Sequence, residues 1–355
     1  MNAIGKLAGQ TAIYGLSSVL GRVLNFLLVP LYARLFLPEE AAVYVEMYAY
    51  VAFFNIILTY GIETAFFRYS EIADDKNKLY STTLISILST SALFIVGMLF
   101  YSQQIANLIK YPEHPEYIIY FIFIVAIDAI NAIPFAKLRA DNKAMRFALI
   151  KTTNIAINIG SNLLLLLLIP YLYNIVDSVA TKQFLSNFTD GTPQVAYIFV
   201  SNLIASFVTT LLLIPEIFKI KFKLDFALLK SMLAYAFPLL IFGLAGIVNE
   251  TIDRVLLKYL LPSETAMHDL GIYGMCYKIS IFITIFIQAF RYAAEPFFFS
   301  QHKESNAKEV YAIVMHYFII VCLFMFLGIM LYMDIVKHFV SAKYFSGLHI
   351  VPILL

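Results

Sequence analysis

Long apolar runs separated by short polar stretches dominate the pattern along this chain. Most runs reach about 20 residues, which is the length a helix needs to cross a hydrocarbon core about 30 Å thick. The runs do not alternate strictly between apolar and polar positions, as the strands of a membrane β-barrel do. The pattern predicts membrane-spanning helices, because a helix satisfies its own backbone hydrogen bonds in lipid.

Nine complete spans and the start of a tenth follow from the boundaries of these runs. The predicted spans are Thr11–Phe36, Val43–Phe66, Leu79–Phe100, Tyr117–Ala136, Phe147–Leu168, Val195–Ile214, Met232–Leu257, Ile272–Ala294 and Tyr311–Met333, with another beginning near Leu348. The composition agrees, since 61% of residues are hydrophobic and 14% charged, against roughly 45–50% and 25% in soluble domains. The predicted fold class is an all-α polytopic membrane protein.

Loops rich in Lys and Arg alternate with loops that carry few of them. The basic loops follow spans 2, 4, 6 and 8 and contain Arg68, Lys76 and Lys78, then Lys137, Arg139, Lys143, Arg146 and Lys151, then Lys219, Lys221, Lys223 and Lys230, and finally Arg291, Lys303 and Lys308. Short cytoplasmic loops are enriched in Lys and Arg. The N-terminus is therefore predicted to be cytoplasmic.

Several classes of function are disfavoured by composition. The net charge of +2 indicates no nucleic-acid partner. Cys276 and Cys322 lie inside apolar runs, and the six His residues lack the spacing of a metal site. Gly243-Leu244-Ala245-Gly246 lies inside a span and is not a nucleotide-binding loop. We expect no cofactor and no metal.

Two short strings recur along the chain. Arg34–Pro38 resembles Lys258–Pro262, and Glu63–Phe67 loosely resembles Glu295–Phe299. Spans 1–2 are therefore expected to be equivalent to spans 7–8. Six spans per repeat leave both halves pointing the same way, which is the parallel-repeat arrangement of two lobes.

The repeat sets the predicted domain boundaries. Residues 1–225 are predicted to form a six-helix N-terminal lobe and residues 226–355 a C-terminal lobe. The second lobe should also contain six helices, but the chain stops inside its fourth. The sequence is therefore expected to be a fragment with a truncated second lobe.

Polar residues at mid-depth are candidate functional groups, because an ionisable side chain there costs at least about 2.5–3.5 kcal/mol. Arg22 lies near the midplane of span 1 and shares a face with Asn25. Asp128 and Asn158 lie at similar depth in spans 4 and 5. Two other readings stay open: Arg22 and Asp128 as a buried pair, and Asn158 as one of the amides that join helices, worth about 0.6 kcal/mol per contact.

Span 7 carries a second polar cluster toward its outer end. Its members are Asn249, Glu250, Asp253 and Arg254, and helical spacing puts the last three on one side. They are expected to line a cavity open to the periplasm, with an interface loop as the alternative.

The remaining candidates lie on spans 8 and 2. Lys278 lies near the outer end of span 8, Arg291 and Glu295 approach its cytoplasmic end, and Glu63 and Arg68 occupy the matching end of span 2. For Arg68 and Arg291, snorkelling toward head groups is an equally good explanation.

Three stretches resemble a known family. They are Phe237–Gly246 continuing through Asn249–Arg254, Ala289–Phe299 and Gly61–Arg68. They look like the corresponding segments of Bacteroidota-type oligosaccharide flippases in the multidrug/oligosaccharidyl-lipid/polysaccharide (MOP) exporter superfamily. The resemblance runs over essentially the whole chain.

The resemblance implies two six-helix lobes and alternating access around a cationic central cavity. It also implies the cargo, a polyprenyl-diphosphate-linked oligosaccharide moved from the cytoplasmic to the periplasmic leaflet of a bacterial inner membrane for cell-surface polysaccharide or lipopolysaccharide biosynthesis. The candidate coupling ions are H+ and Na+. No bond is broken, so an enzyme is not expected.

The charges suit such a cargo. Arg binds diphosphate well through its planar fork, and Arg22 at mid-depth, Arg254 and Lys278 outward and Arg291 inward would form a staged path. A cation-coupled drug or metabolite antiporter of the same superfamily is the nearer alternative and would favour carboxylates over cations. A membrane glycosyltransferase or polymerase is the more distant one, because the outer loops are short.

Overall fold

The computed structural model describes residues 20–21, 23–219, 224–301 and 307–355, with the backbone alone at residue 289 and residues 291–301. Helices and short turns make up these described residues, and no strand occurs among them. The predicted all-α fold class is confirmed.

The helices follow one another with short connections. We number them α1 (Val29–Leu35), α2 (Pro38–Thr59), α3 (Ile62–Ser70), α4 (Lys76–Phe100), α5 (Ser102–Leu108), α6 (Pro115–Ala140), α7 (Ala144–Leu163), α8 (Ile169–Ile175), α9 (Val179–Leu185), α10 (Ala196–Ile217), α11 (Phe226–Leu260), α12 (Ala266–Gln301), α13 (Ala307–Leu331), α14 (Met333–Val336) and α15 (Val351–Leu354). A π-helical turn, Leu164–Leu168, joins α7 to α8, and 3-10 segments cover Lys337–Phe339 and Ala342–Ile350.

Within the described residues, eight helices are long and apolar enough to cross a membrane. They overlap predicted spans 2 to 9, so the existence of these eight helices is confirmed, although several ends differ. Much of predicted span 1 lies outside the described residues, and its described end contains the apolar helix Val23–Leu35. The start of a span near Leu348 stays a prediction: the 3-10 segment there leads into the helix α15, which begins at Val351.

The predicted end of span 2 was also wrong. The apolar run continues to Phe66, but α2 ends at Thr59. Tyr60 and Gly61 have φ values of +37° and +70°, and such left-handed residues terminate a helix. Glu63 and Arg68 therefore lie on the separate short helix α3.

The chain forms two compact units, one of residues 44–259 and the other of residues 1–43 together with 260–355. In the second unit, the phenol of Tyr344 donates a hydrogen bond of 2.9 Å to the carbonyl of Phe36, and His268 Nδ1 lies 2.7 Å from Glu39 Oε1. The division into lobes at residues 225 and 226 stays a prediction.

Helix α11 is the longest helix of the unit formed by residues 44–259, with 35 residues. Its first turns pack into a buried apolar cluster, to which Met232 and Ala236 contribute together with Ile62, Leu79, Leu84 and Ile133. The middle of the helix is exposed: Phe237 is 62% and Phe242 80% exposed. Such a helix is anchored at its start and uncovered along its centre.

Candidate functional site

A hydrogen-bonded network surrounds Asp128 within the unit of residues 44–259. Ser206 Oγ, on α10, donates to Asp128 Oδ1 at 2.8 Å. On the same helix, Asn202 Nδ2 donates to the hydroxyl of Tyr48 at 2.9 Å. The Asp128 carboxylate also interacts electrostatically with Lys151 on α7. The network places a carboxylate, an amide and a phenol side by side inside a spanning bundle.

Further amides and hydroxyls tie α6 and α7 to α10. Thr210 Oγ1 donates to Asn131 Oδ1 at 3.0 Å, and Asn154 Nδ2 donates to Thr209 Oγ1 at 2.8 Å. Contacts of this kind join helices in membranes at about 0.6 kcal/mol each. The Asn154 side chain thus joins α7 to α10.

A buried ion pair lies at the opposite end of α11 from its apolar anchor. Lys258 Nζ is 2.7 Å from Glu46 Oε2, and the two side chains are 4% and 0% exposed. The Lys258 ammonium also donates to the carbonyl of Ile109 at 2.7 Å. The pair connects α2, the α5–α6 loop and the end of α11.

Two tyrosines complete the hydrogen bonding of the Glu46 carboxylate. Tyr111 donates to Oε2 at 2.5 Å, and Tyr50 donates to Oε1 at 2.7 Å. Burial and the adjacent carboxylate raise the pKa of Tyr111 above its ordinary value, so the phenol remains a donor. The Lys258 ammonium lies 3.7 Å from the centroid of the Tyr111 ring. Each charge of the pair thus has several partners, as a stable buried pair needs.

Several cationic side chains in and near the predicted basic loops have partners in the structure. Arg139 forms an ion pair with Glu63, and the Arg68 guanidinium lies 4.2 Å from the centroid of the Tyr235 ring on α11. Arg146 Nη2 lies 2.9 Å from Oε2 of the fully buried Glu216. Glu63 is thus neutralised, while the Arg68 side chain is exposed on an aromatic face.

The polar cluster of α11 is uncovered to different degrees. Asn249 and Glu250 are exposed, whereas Asp253 and Arg254 are partly buried. Asp253 Oδ1 accepts a hydrogen bond of 2.9 Å from the Arg254 backbone. Lys278, on α12, is partly buried. That these residues line a cavity open to the periplasm stays a prediction.

The sequence was compared with models of protein families and with curated proteins. A family model described as polysaccharide biosynthesis protein matches residues 7–302. The chain belongs to this family. No curated protein matches it.

The fold of this polysaccharide biosynthesis family member is similar to solved transporter structures. An inward-facing multidrug resistance MATE family transporter of the MOP superfamily superimposes with a TM-score of 0.62 at 15% identity, covering 99% of this chain and 80% of that one. A MATE protein in the straight conformation gives a TM-score of 0.63 at 15% identity, covering 98% and 78%. The family match shows a polysaccharide biosynthesis family member, and the solved structures show its fold, a MATE-like arrangement of helices in which the described residues include eight candidate membrane spans.

Several predicted site residues have no described side chain. Arg22 lies outside the described residues, and the side chains of Arg291 and Glu295 on α12 do as well. Asn25 is exposed. Asn158 Oδ1 accepts a hydrogen bond of 3.2 Å from Asn162. The structure brings Asp128 together with Ser206, and the staged path of cations stays a prediction.

The buried Glu46–Lys258 pair was missed by sequence reasoning in this family member. Glu46 lies inside an apolar run, and an ionisable residue there is a functional candidate by default. In the sequence, Lys258 stands out only as part of a repeated string. Each residue could be noticed in the sequence, but nothing in the sequence indicated that the two form an ion pair. Over the described residues, no group of three or more His, Cys, Asp or Glu is placed to hold a metal ion.

Proposed function

We propose that this protein flips a polyprenyl-diphosphate-linked oligosaccharide from the cytoplasmic to the periplasmic leaflet of a bacterial inner membrane. The observation that carries the proposal is the match of residues 7–302 to the polysaccharide biosynthesis family. The MATE-like helical fold supports it, because the similar solved structure is described as a transporter. The exported glycan then serves cell-surface polysaccharide biosynthesis.

The proposed path uses cations for the diphosphate and amides for the sugars. Arg22 is the central contact, Arg254 and Lys278 act toward the periplasm, and Arg291 acts toward the cytoplasm. The guanidinium fork is suited to bidentate contact with phosphate oxygens. Asn158 and Asn249 would bond sugar hydroxyls while the lipid tail stays in the bilayer.

Alternating access in this proposal occurs between the lobes of residues 1–225 and 226–355, with the N-terminus in the cytoplasm. The Asp128 network supports a role for H+ or Na+ as coupling ion, since it holds a carboxylate next to hydroxyl and amide oxygens. Oxygen ligands of this kind bind hard cations, and a carboxylate can also carry a proton.

The cation-coupled drug antiporter is the second candidate, and the similarity to multidrug transporters favours it. Such an antiporter would favour carboxylates over cations along its path. In the described chain, Glu46, Glu63 and Glu216 are each paired with a cation, which favours the anionic cargo instead.

Deletion of the gene in its native host tests the proposal. The expected result is accumulation of a lipid-linked oligosaccharide in the inner membrane and loss of the surface glycan, both reversed by the parent gene. Unchanged lipid-linked glycans together with increased sensitivity to cationic drugs would replace the flippase with the antiporter.

A further inference from the structure

Helix α11 packs against the other helices of the unit of residues 44–259 at two places, one apolar and one polar. Near its start, Met232 is 0% and Ala236 1% exposed in the apolar cluster. An ideal Cβ built on Gly61 would lie 2.9 Å from the Ala236 carbonyl oxygen. Near its end, the contact is the polar group of Lys258, Glu46, Tyr50 and Tyr111.

The two attachments respond differently to separation. Opening the apolar contact exposes hydrocarbon surface to water, which costs about 25 cal/mol per Å². Opening the polar contact rehydrates two charges, and the hydration that returns offsets much of the lost attraction. Rehydration of the separated charges therefore brings the open contact closer in free energy to the closed one than at the apolar anchor, which is what a two-state contact requires.

The positions of Glu46 and Lys258 indicate which lobes the contact joins and on which side of the membrane it lies. Glu46 lies in the first of the two proposed lobes, and Lys258 lies at the end of the first helix of the second lobe. The loop between α5 and α6, which supplies Ile109 and Tyr111, is on the side of the chain predicted to be periplasmic. The contact thus joins the proposed lobes where cargo would leave.

We propose that Glu46 and Lys258, with Tyr50 and Tyr111, form a latch that holds the periplasmic end closed and must open before cargo is released. The latch rests on the proposed function. It predicts that loss of the charged pair shifts the population toward a state open to the periplasm.

The first experiment measures opening without measuring transport. Thr251 is 6% exposed and lies two helical turns before Lys258 on the same face of α11. A Thr251→Cys reporter is placed in a chain that carries Cys276→Ala and Cys322→Ala, and intact cells are treated with a membrane-impermeant maleimide. The charge-free pair Glu46→Gln with Lys258→Met should raise labelling several-fold over the reporter parent.

The matched control removes another buried pair. Arg146 and Glu216 both belong to the proposed first lobe, so Arg146→Met with Glu216→Gln should leave labelling of the reporter unchanged. Equal labelling in the latch variant and the parent, with equal membrane abundance, would overturn the latch. Equal increases in both variants would do so too, because they would indicate general loosening.

The second experiment holds the latch closed. Glu46→Cys with Lys258→Cys is crosslinked by a short reducible bis-methanethiosulfonate, and the same reagent is applied to Arg146→Cys with Glu216→Cys. Glycan export should stop only in the crosslinked latch variant and return after reduction. Continued export by the crosslinked latch variant contradicts the proposal. The deletion experiment tests the cargo separately, and reporter labelling tests the latch even if the cargo is different.

Discussion

The carboxylate of Asp225 lies 2.5 Å from the ammonium nitrogen of Lys78, and its Oδ1 also accepts the backbone N–H of Leu228 at 2.9 Å. One side chain thus caps the first turn of α11 and binds this helix to α4. Acidic groups near a helix N-terminus are favourable because the free N–H groups carry partial positive charge.

This dual contact predicts a pH dependence. The Lys78 ammonium and the Leu228 N–H hold the pKa of Asp225 below its ordinary value. A lowered folded-state pKa adds stability above the ordinary carboxyl pKa of about 3.9, and this contribution is lost as the pH falls through the folded value. Asp225→Asn should therefore lower the thermal midpoint at neutral pH, and the difference from the parent should shrink in acid. A difference that persists at low pH would point to lost packing.

The break between α2 and α3 predicts a glycine requirement. Gly61 has a φ of +70°, and an added Cβ would meet the Ala236 carbonyl oxygen at 2.9 Å. Gly61→Ala should destabilise the protein by about 1–3 kcal/mol. Gly97→Ala is the matched control, since nothing lies within 4 Å of an added Cβ there. Thermal unfolding in detergent compares the two, and equal midpoints would contradict the strained turn.

The buried pair predicts non-additive stability effects. Lys258→Met leaves the Glu46 charge buried and should cost about 3–5 kcal/mol. The double variant Glu46→Gln with Lys258→Met removes both charges and should be more stable than Lys258→Met alone. A double-mutant cycle on unfolding midpoints measures this coupling. Simple additivity of the two single changes would contradict a direct pair.

If Arg22 contacts the diphosphate, as proposed, a second substitution at Asp128 should not restore the transport activity lost in Arg22→Gln. If Arg22 binds cargo, Arg22→Gln stays inactive when combined with Asp128→Asn, whereas Arg22→Lys keeps partial activity because the charge remains. Complementation of the deletion strain, with membrane abundance checked by blot, gives the answer. Full rescue by the double variant would instead identify Arg22 as the counter-charge of Asp128.

The predicted orientation can be tested at two exposed positions. Asp74 lies between α3 and α4 in a loop expected to be cytoplasmic, and Ala180 lies on α9 on the expected periplasmic side. In a cysteine-free background, an impermeant maleimide should label Ala180→Cys in intact cells and Asp74→Cys only after the membrane is opened. The reverse pattern would invert the topology.

The spanning helices could be predicted because hydropathy is a local property of the sequence. The run from Val43 to Phe66 shows where this fails: it is apolar throughout, and the break at Gly61 depends on the backbone of Ala236, far away in the sequence. The Asp128 candidate was found because a carboxylate in a span stands out. Its partner Ser206 did not stand out, since hydroxyls are common in membrane helices.

The pairing of Glu46 with Lys258 was out of reach for a different reason. The two residues are 212 positions apart, and no pattern within either segment specifies the other. Such a contact depends on how distant helices pack. Helix packing leaves no periodic pattern of residues that could be recognised in a single sequence. The same holds for Tyr111, whose role depends on where the α5–α6 loop lies.

The length of α11 has a consequence for the surrounding lipid. With 35 residues, this helix extends roughly 52 Å at 1.5 Å per residue, against a hydrocarbon core of about 30 Å. The excess length need not lie in hydrocarbon, because the helix carries Lys230 near its start and Asn249, Glu250, Asp253 and Arg254 toward its end, and only its apolar stretch counts toward hydrophobic mismatch. We therefore expect the polar ends of α11 to extend beyond the hydrocarbon core into the head-group regions.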